Sequence, residues 1–334
     1  MKARALICNE KQEFELADVA LPEPGAGEMV VRATATGVSV GTEFALIRNK
    51  ISWGPYPLCT GYQGIGVVEQ TGDDVTGFAV GDKVYYRDNK PMTLADGTTV
   101  SPVAGTHASK AVIDPANTHG VAVLPQGVSD EVASMFVMPA VGLWGVDMSN
   151  PRMGETVVVY GAGLIGLGVI AACAHRGCVV VAVDLRDDRL EVAAAMGADV
   201  CINASRQDVA AEVGKVNPDM ADVVFEATGL PQCLDPAIEL CRTFGKFVWQ
   251  GNYGEKPVSI HFLSAHGRQL TTFFPCDDGL EPCRRAVIKN MISGALPWQH
   301  AITHRVSARE AADFYRRINA GEADDVLGAV ILWD

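Results

Sequence analysis

The chain has 334 residues, of which 48% are apolar, and this length exceeds what one hydrophobic core usually fills. We therefore expect two domains. The formal net charge of −13 disfavours nucleic acid as a partner, because phosphate contacts need clustered Lys and Arg. No apolar run approaches the roughly 20 residues that cross a bilayer, so the sequence predicts a cytoplasmic protein with no membrane partner. The nine cysteines are scattered and are expected to be reduced.

Residues 1–145 alternate short strand-like runs with Gly, Pro and Asp. The runs 29–33, 64–69 and 81–86 are examples, and turn residues separate them. This pattern predicts a compact, largely antiparallel β domain.

From Thr156 onward the pattern changes to continuous apolar runs, each followed by an alanine-rich helical stretch. Strands that are buried on both faces of a parallel sheet have this composition, and their alternation with helices is typical of right-handed βαβ units. We predict an α/β domain with a doubly wound parallel sheet. Its predicted strands are Thr156–Tyr160, Val179–Asp184, Val200–Ile202, Asp222–Glu226 and Lys246–Gln250.

The strongest motif is Gly-x-Gly-x-x-Gly, which follows the first of these strands and opens an apolar helix. Gly161 permits a tight turn, Gly163 lets the backbone approach a pyrophosphate, and Gly166 lets the helix pack closely on the sheet. Leu164 and Ile165 lie at the helix N-terminus, where backbone N–H groups attract an anion. The motif predicts a dinucleotide site, although such glycines can also serve helix packing alone.

The next predicted strand ends in Asp184, about 20 residues beyond the middle glycine, where a carboxylate can accept both ribose hydroxyls of an adenosine. This residue favours NAD over NADP as the cofactor. An arginine at position 186 or 189 can in principle meet a 2′-phosphate, but the carboxylate would repel that group. Arg189 and Thr228 complete the candidate cofactor-binding residues.

Several longer stretches resemble the medium-chain dehydrogenase/reductase superfamily, in a layout similar to that of sorbitol and threonine dehydrogenases. The matching stretches are 37–43, 61–68, 75–84, the glycine motif and 190–199. The resemblance implies a GroES-like β domain plus a Rossmann domain, with a C-terminal segment that returns to the first domain. It assigns residues 1–145 and 280–334 to the GroES-like domain and residues 146–279 to the Rossmann domain.

The zinc enzymes of this superfamily have a Cys where this chain has Val40, and a His-Glu pair where it has Tyr62 and Gln63. They often have a Glu where it has Met138, and their structural-zinc lobe carries four cysteines where residues 87–106 contain none. Valine and methionine are not plausible replacements for the thiolate, imidazole and carboxylate donors that zinc prefers. Both metals are therefore predicted to be absent.

Two further observations bear on the metal and the subgroup. An unrelated metal site could be formed through space by His107, His300 and His304, but a lone histidine in a segment is more often structural. The stretches 39–43 and 326–333 look similar to bacteriochlorophyllide dehydrogenase and its neighbours among the zinc-free relatives. This similarity narrows the subgroup and leaves the substrate open.

Without zinc as Lewis acid, the substrate oxygen needs hydrogen-bond donors or a general acid/base. The alignment favours Tyr62 as donor or acid/base and Thr42 as the hydroxyl of a proton relay, with Glu43 in support. Ser39 and Gln63 are candidates for orienting substrate hydroxyls. The alternative is that these side chains form a hydrogen-bond network that only preserves the fold, since buried polar groups need partners in any case.

Trp53 and Asp88 lie in segments that flank the active-site cleft in similar enzymes, and we expect them to contact substrate. Aromatic residues near strands are more often core than binding surface. These two residues therefore indicate only a roomy, polar-rimmed pocket.

The leading functional hypothesis is NAD-dependent oxidation of a secondary alcohol in a small polyol, sugar or similar hydroxylated compound. Oxidation of the hydroxyethyl group of a bacteriochlorophyllide and NAD(P)H-dependent reduction of an enone or quinone are competing enzyme hypotheses. A hypothesis from a different class of protein is a non-catalytic NAD-binding sensor, because fold alone does not establish activity. A homodimer or homotetramer is expected, with the stretch Pro257–Phe262 as the exposed edge strand of the sheet.

Overall fold

The computed structural model describes residues 1–51, 53–117 and 120–334. These residues fold into two compact units, and the first contains Met1–Phe136 together with Ile302–Asp334. The second unit is the continuous segment Val137–Ala301. This division differs from the predicted boundaries chiefly at residues 280–301, which lie in the second unit.

The bounds of the secondary-structure elements follow in chain order. The strands are β1 (Lys2–Cys8), β2 (Phe14–Ala20), β3 (Met29–Val38), β4 (Leu58–Cys59), β5 (Gly64–Thr71), β6 (Lys83–Tyr86), β7 (Met92–Leu94), β8 (Thr99–Pro102), β9 (Lys110–Ile113), β10 (Val121–Val123), β11 (Thr156–Tyr160), β12 (Val179–Asp184), β13 (Val200–Asn203), β14 (Ala221–Glu226), β15 (Cys241–Trp249), β16 (Thr271–Phe273), β17 (Ile302–Ser307) and β18 (Gly328–Leu332). The helices are α1 (Val40–Ile47), α2 (Asp130–Ala133), α3 (Val137–Ser149), α4 (Leu164–His175), α5 (Asp187–Ala195), α6 (Val209–Val216), α7 (Leu234–Glu239), α8 (Phe262–Gly267), α9 (Leu280–Ser293) and α10 (Ala311–Ala320).

The first unit is built from β-strands, as predicted. Strands β1, β2, β7, β8 and β4 close a barrel, and a second sheet has the order β10-β6-β5-β3-β18-β17 with β9 also paired to β3. Most of these pairs are antiparallel, but β17 runs parallel to β18 and β4 runs parallel to β8. The C-terminal strand β18 pairs antiparallel with β3, so residues from both ends of the chain complete this unit.

The second unit contains a parallel sheet in the order β13-β12-β11-β14-β15-β16. The central strands are apolar because both faces are covered, and Val157, Val158 and Val159 are fully buried. The doubly wound α/β architecture is confirmed. The strand predicted from Lys246 begins earlier, at Cys241, and the described strand ends at Trp249.

The predicted edge strand at Pro257–Phe262 is wrong. Residues 257–261 have no regular structure and Phe262 begins α8, whereas β16 (Thr271–Phe273) forms the edge beside β15. Pro257 lacks a backbone N–H for a ladder, and the His261 N–H donates instead to the Asp235 carboxylate at 2.7 Å. Weak alternation in the sequence was therefore insufficient to identify a strand.

Helix α9 lies in the second unit, where it packs against α3. Asp278 and Arg284 form a buried ion pair with Nε to Oδ2 at 2.5 Å. Gly279 adopts a left-handed φ of 68° at the start of the helix, and a Cβ there would lie 2.5 Å from the Cys283 sulfur. In the described part of the chain, no helix has the length and apolar character needed to span a membrane.

The Tyr86 side chain at the end of β6 is fully buried, and its hydroxyl has no hydrogen-bond partner among the described residues. A buried donor without a partner costs about 1–3 kcal/mol. We expect Tyr86→Phe to raise the free energy of unfolding by about 1 kcal/mol, measured by urea denaturation. A loss of stability would show that the hydroxyl has a partner that contributes to the fold.

Candidate active site

The glycine motif forms the turn between β11 and α4 in the second unit. Gly161 has a φ of 107°, which favours glycine. A Cβ on Gly166 would lie 1.9 Å from the Gly161 carbonyl oxygen, so only glycine allows α4 to approach the strand this closely. At Gly163, by contrast, the nearest atom to an added Cβ would be Arg189 Nη1, 4.0 Å away. This position is therefore open to a ligand.

Asp184 lies at the end of β12 and its carboxylate accepts three backbone hydrogen bonds. One comes from Ala162 in the glycine turn at 2.8 Å, and the others come from Leu185 and Arg186 at 2.8 and 3.1 Å. A carboxylate has about four acceptor positions. Asp184 therefore holds the glycine turn in place and retains limited capacity to accept ribose hydroxyls.

The two arginines near Asp184 have different surroundings. The Arg186 guanidinium pairs with Asp188, with Nη2 to Oδ2 at 2.6 Å. Arg189 instead lies beside Gly163. Arg186 is thus partly neutralised, whereas Arg189 is placed to contact a phosphate near the glycine turn.

Thr228 follows β14, the strand next to β11, and lies against the glycine turn. A Cβ on Gly161 would lie 2.8 Å from Thr228 Cγ2. In a doubly wound sheet with this strand order, ligands bind outside the carboxyl ends of the strands where the order reverses, here between β11 and β14. The structure thus brings the predicted cofactor residues together at this edge, and the open position at Gly163 fits a dinucleotide pyrophosphate.

In the first unit, the Tyr62 hydroxyl forms hydrogen bonds with the side chains of Ser39 and Thr42. Burial raises the pKa of Tyr62 to about 12, and hydrogen bonds with Ser39 and Thr42 partly oppose that rise. The Arg87 guanidinium lies over the Tyr62 ring, 5.6 Å from its centroid, and donates to the Tyr62 carbonyl at 3.2 Å. The phenol is therefore neutral at physiological pH and linked to two hydroxyls.

Glu43 on α1 is fully buried and is linked to this cluster through the Ser39 backbone. Its Oε1 accepts the Ser39 N–H at 2.7 Å, and its Oε2 lies 3.1 Å from His107 Nε2 and 2.8 Å from the Tyr315 hydroxyl. Burial raises the pKa of Glu43, but the His107 imidazole, with hydrogen bonds from His107 and Ser39, outweighs burial and lowers it below its ordinary value. The carboxylate is thus ionised and supports Ser39 through the backbone.

The partners of Glu43 are residues that the sequence did not identify. His107 Nδ1 lies 2.9 Å from Thr36 Oγ1, which also accepts a hydrogen bond from Trp333 Nε1 at 3.0 Å. The sequence offers His107 as part of an unrelated metal site or as a structural histidine, and it assigns no role to the Tyr315 and Trp333 side chains. The structural interpretation of His107 was the one available signal of this network. This network agrees in part with the alternative of a fold-preserving hydrogen-bond set.

The remaining candidate residues lie elsewhere in the first unit. Gln63 is fully buried, and its backbone N–H donates to Thr106 Oγ1 at 3.2 Å. Trp53 is 59% exposed, and the Asp88 carboxylate accepts from Asn117 at 2.7 Å in a loop. The partners of the Asp88 carboxylate are Asn89 and Asn117, outside the Tyr62 cluster, and the proposed role of Trp53 and Asp88 at the rim of a pocket stays a prediction.

The donors at the positions of the superfamily's catalytic zinc ligands do not fit zinc. Val40 has no donor atom, and the Tyr62 phenol is held in its neutral form. Among residues 1–51, 53–117 and 120–334, no group of three or more His, Cys, Asp or Glu is placed to hold a metal ion. We therefore derive no chemical step through a metal.

Comparison with known proteins agrees with the two units. Residues 25–126 match the model of the alcohol dehydrogenase GroES-like domain, and residues 165–292 match that of the zinc-binding dehydrogenase family. The L-threonine 3-dehydrogenase of Chromobacterium violaceum is 31% identical over 71% of this chain and 74% of its own length. The erythritol/L-threitol dehydrogenase of Mycolicibacterium smegmatis is 28% identical over 92% of each chain.

A solved structure has the same fold over the full length of both chains. It is an oxidoreductase/dehydrogenase of unknown specificity from Escherichia coli, with a TM-score of 0.87 and 21% identity over 100% of each chain. The GroES-like domain and the Rossmann domain are thereby confirmed. The chain belongs to the medium-chain dehydrogenase superfamily of oxidoreductases.

The close approach at Gly166 generates a test of the dinucleotide turn. We expect Gly166→Ala to abolish detectable dinucleotide binding, because the added Cβ must displace Gly161 or α4. Calorimetric titration with NAD⁺ measures the binding. Gly214→Ala on α6 is the matched control, since a Cβ there meets nothing within 4 Å, and should leave binding unchanged. Tight binding by Gly166→Ala would contradict the assignment.

Proposed function

We propose that the protein is a zinc-independent, NAD-dependent dehydrogenase that acts on a secondary alcohol or ketone of a polyol, sugar or similar hydroxylated compound. The observation that carries the proposal is the Tyr62–Ser39–Thr42 hydroxyl cluster with its neutral phenol. The resemblance to the superfamily aligns Tyr62 with a zinc-binding histidine, which supports the proposal. The names of the relatives support alcohols as the substrate class.

The protein's own residues carry the proton. The nicotinamide ring of NAD, when bound, would supply the group that accepts the hydride. Tyr62 donates a hydrogen bond to a ketone oxygen, and in the oxidation direction it takes the alcohol proton as its own proton moves to Thr42. Thr42 is partly exposed whereas Ser39 is buried, so Thr42 is the outlet to solvent and Ser39 orients the phenol. Because the pKa of Tyr62 is raised to about 12, this concerted transfer avoids a free tyrosinate.

The environment of Asp184 supports NAD rather than NADP. A 2′-phosphate would meet this carboxylate, and the nearby Arg186 is already paired with Asp188. Arg189 is assigned to the pyrophosphate side because of its place beside Gly163. A non-catalytic NAD-binding sensor is the second candidate, since Glu43 and its partners form a saturated structural network.

The first experiment combines metal analysis with turnover. We expect NAD⁺ reduction with a panel of polyols and sugars at substoichiometric zinc, with no loss in chelator. Tyr62→Phe should lower kcat by about 10²–10⁴-fold, the usual range for an acid/base group. Tyr86→Phe is the control, because it removes a buried phenol hydroxyl outside the cluster.

Other results of this experiment would contradict specific parts of the proposal. Stoichiometric zinc with chelator-sensitive turnover would refute zinc independence. Binding of NAD⁺ without turnover across the panel would favour the sensor, and turnover only with a chlorin alcohol or an enone would transfer the proposal to those substrates. Preference for NADP⁺ would overturn the role given to Asp184.

We also propose a homo-oligomer formed at the β16 edge of the sheet. This strand is last in the sheet order, and among the residues that the structure describes it pairs with β15 alone. Phe262, Leu263 and Phe274 near this edge are each about two-thirds exposed, at 65%, 66% and 65%. An unpaired edge beside exposed apolar side chains favours pairing with a second copy.

The oligomer has its own test. We expect Leu263→Glu to shift the protein to monomers, because a charge would be buried at the interface, as measured by light scattering after size-exclusion chromatography. Met153→Glu is the control, since Met153 is 82% exposed in the loop before β11. An oligomer that survives Leu263→Glu would contradict this interface.

A further inference from the structure

A buried carboxylate that the sequence patterns did not single out lies at the carboxyl end of β14. Glu226 is fully buried. It accepts hydrogen bonds from the Thr228 and Tyr253 hydroxyls, and from the Thr228 and Gly229 N–H groups at 2.9 and 3.2 Å. These four donors come from the loops that follow β14 and β15. One carboxylate thus joins the two loops.

The two loops also pack backbone against backbone. A Cβ on Gly251 would lie 2.4 Å from the Gly229 nitrogen and 2.9 Å from Glu226 Oε2. The Gly251 N–H donates to the Glu226 carbonyl at 2.8 Å. The Tyr253 ring meets Trp249 edge to face, with centroids 5.7 Å apart, so the ring is anchored independently of its hydroxyl. Loss of the hydroxyl alone would therefore leave the ring packing in place.

This arrangement reaches the glycine turn through Thr228. Thr228 is held to Glu226 by both its backbone N–H and its hydroxyl, and it lies against Gly161. The Ala227 N–H donates to the Tyr160 carbonyl at 2.8 Å, immediately before the turn. A displacement of Thr228 would therefore change the wall of the dinucleotide site at the point where the strand order reverses.

We infer that Glu226 and Tyr253 are positioning residues for the dinucleotide: the Tyr253 hydroxyl fixes the Glu226 carboxylate, which fixes Thr228 against the glycine turn. This inference rests on the proposed function only in requiring that a nicotinamide dinucleotide binds. Tyr253 acts through Glu226 and need not touch the ligand. Its loss should weaken binding and spare the proton chemistry of the first unit.

The test is Tyr253→Phe, which keeps the ring and removes one donor from Glu226. We expect the Kd for NAD⁺, measured by calorimetry, to rise about tenfold, and kcat at saturating NAD⁺ to stay within about twofold because the Tyr62 cluster is intact. Tyr86→Phe is the matched control, since its buried hydroxyl touches no carboxylate, and it should leave the Kd unchanged.

A second variant tests the route through Thr228. Thr228→Val removes the other hydroxyl donor, and its effect on the Kd should not add to that of Tyr253→Phe, because both act on one carboxylate. Additive effects, an unchanged Kd in Tyr253→Phe, or an equal rise in Tyr86→Phe would each overturn the inference. If the wild type turns over NAD⁺ normally, those results leave the proposed function intact, whereas a wild type that binds no NAD⁺ refutes both.

Discussion

A carboxylate that is removed from water must be surrounded by hydrogen-bond donors, because an unpaired buried charge is too costly to retain. This protein meets that requirement at Glu226 in the second unit and at Glu43 in the first, both fully buried. Glu226 accepts hydrogen bonds from the loops after β14 and β15, and Glu43 is bonded to Ser39, His107 and Tyr315. The half-buried Asp184 accepts the Ala162 N–H of the glycine turn. Carboxylates therefore organise the candidate residues of each unit, and the groups that donate hydrogen bonds to them are mainly backbone amides and hydroxyls.

The parts of the structure that sequence could predict are those with local signals. A parallel strand covered on both faces is continuously apolar, and the turn after β11 needs glycine at fixed offsets, so β11, β12 and the dinucleotide site followed from short stretches. Asp184 followed from its spacing to that turn. The choice of Tyr62, Thr42 and Ser39 as candidates came from the resemblance to a family, whereas the hydrogen bonds that join them are seen only in the structure.

The parts that sequence could not predict depend on contacts between distant residues. The Tyr315 hydroxyl reaches Glu43 across 272 positions, and His107 reaches it across 64. No pattern within a helix or strand encodes such pairs, because each side chain alone is compatible with a surface or a core position. The prediction of the edge strand was wrong for a related reason: β16 has only three residues, which are too few to show a period of two.

The path of the chain has a consequence for how the protein is synthesised. The second unit is one continuous segment that is complete at Ala301, so it can fold as it leaves the ribosome. The first unit must wait for residues 302–334, which supply strand β18 beside β3, the Tyr315 hydroxyl for Glu43 and the Trp333 indole for Thr36. Until then Glu43 lacks one of its donors. The nascent chain therefore passes through a stage in which the second unit is complete and the Glu43 network of the first unit still lacks Tyr315 and Trp333.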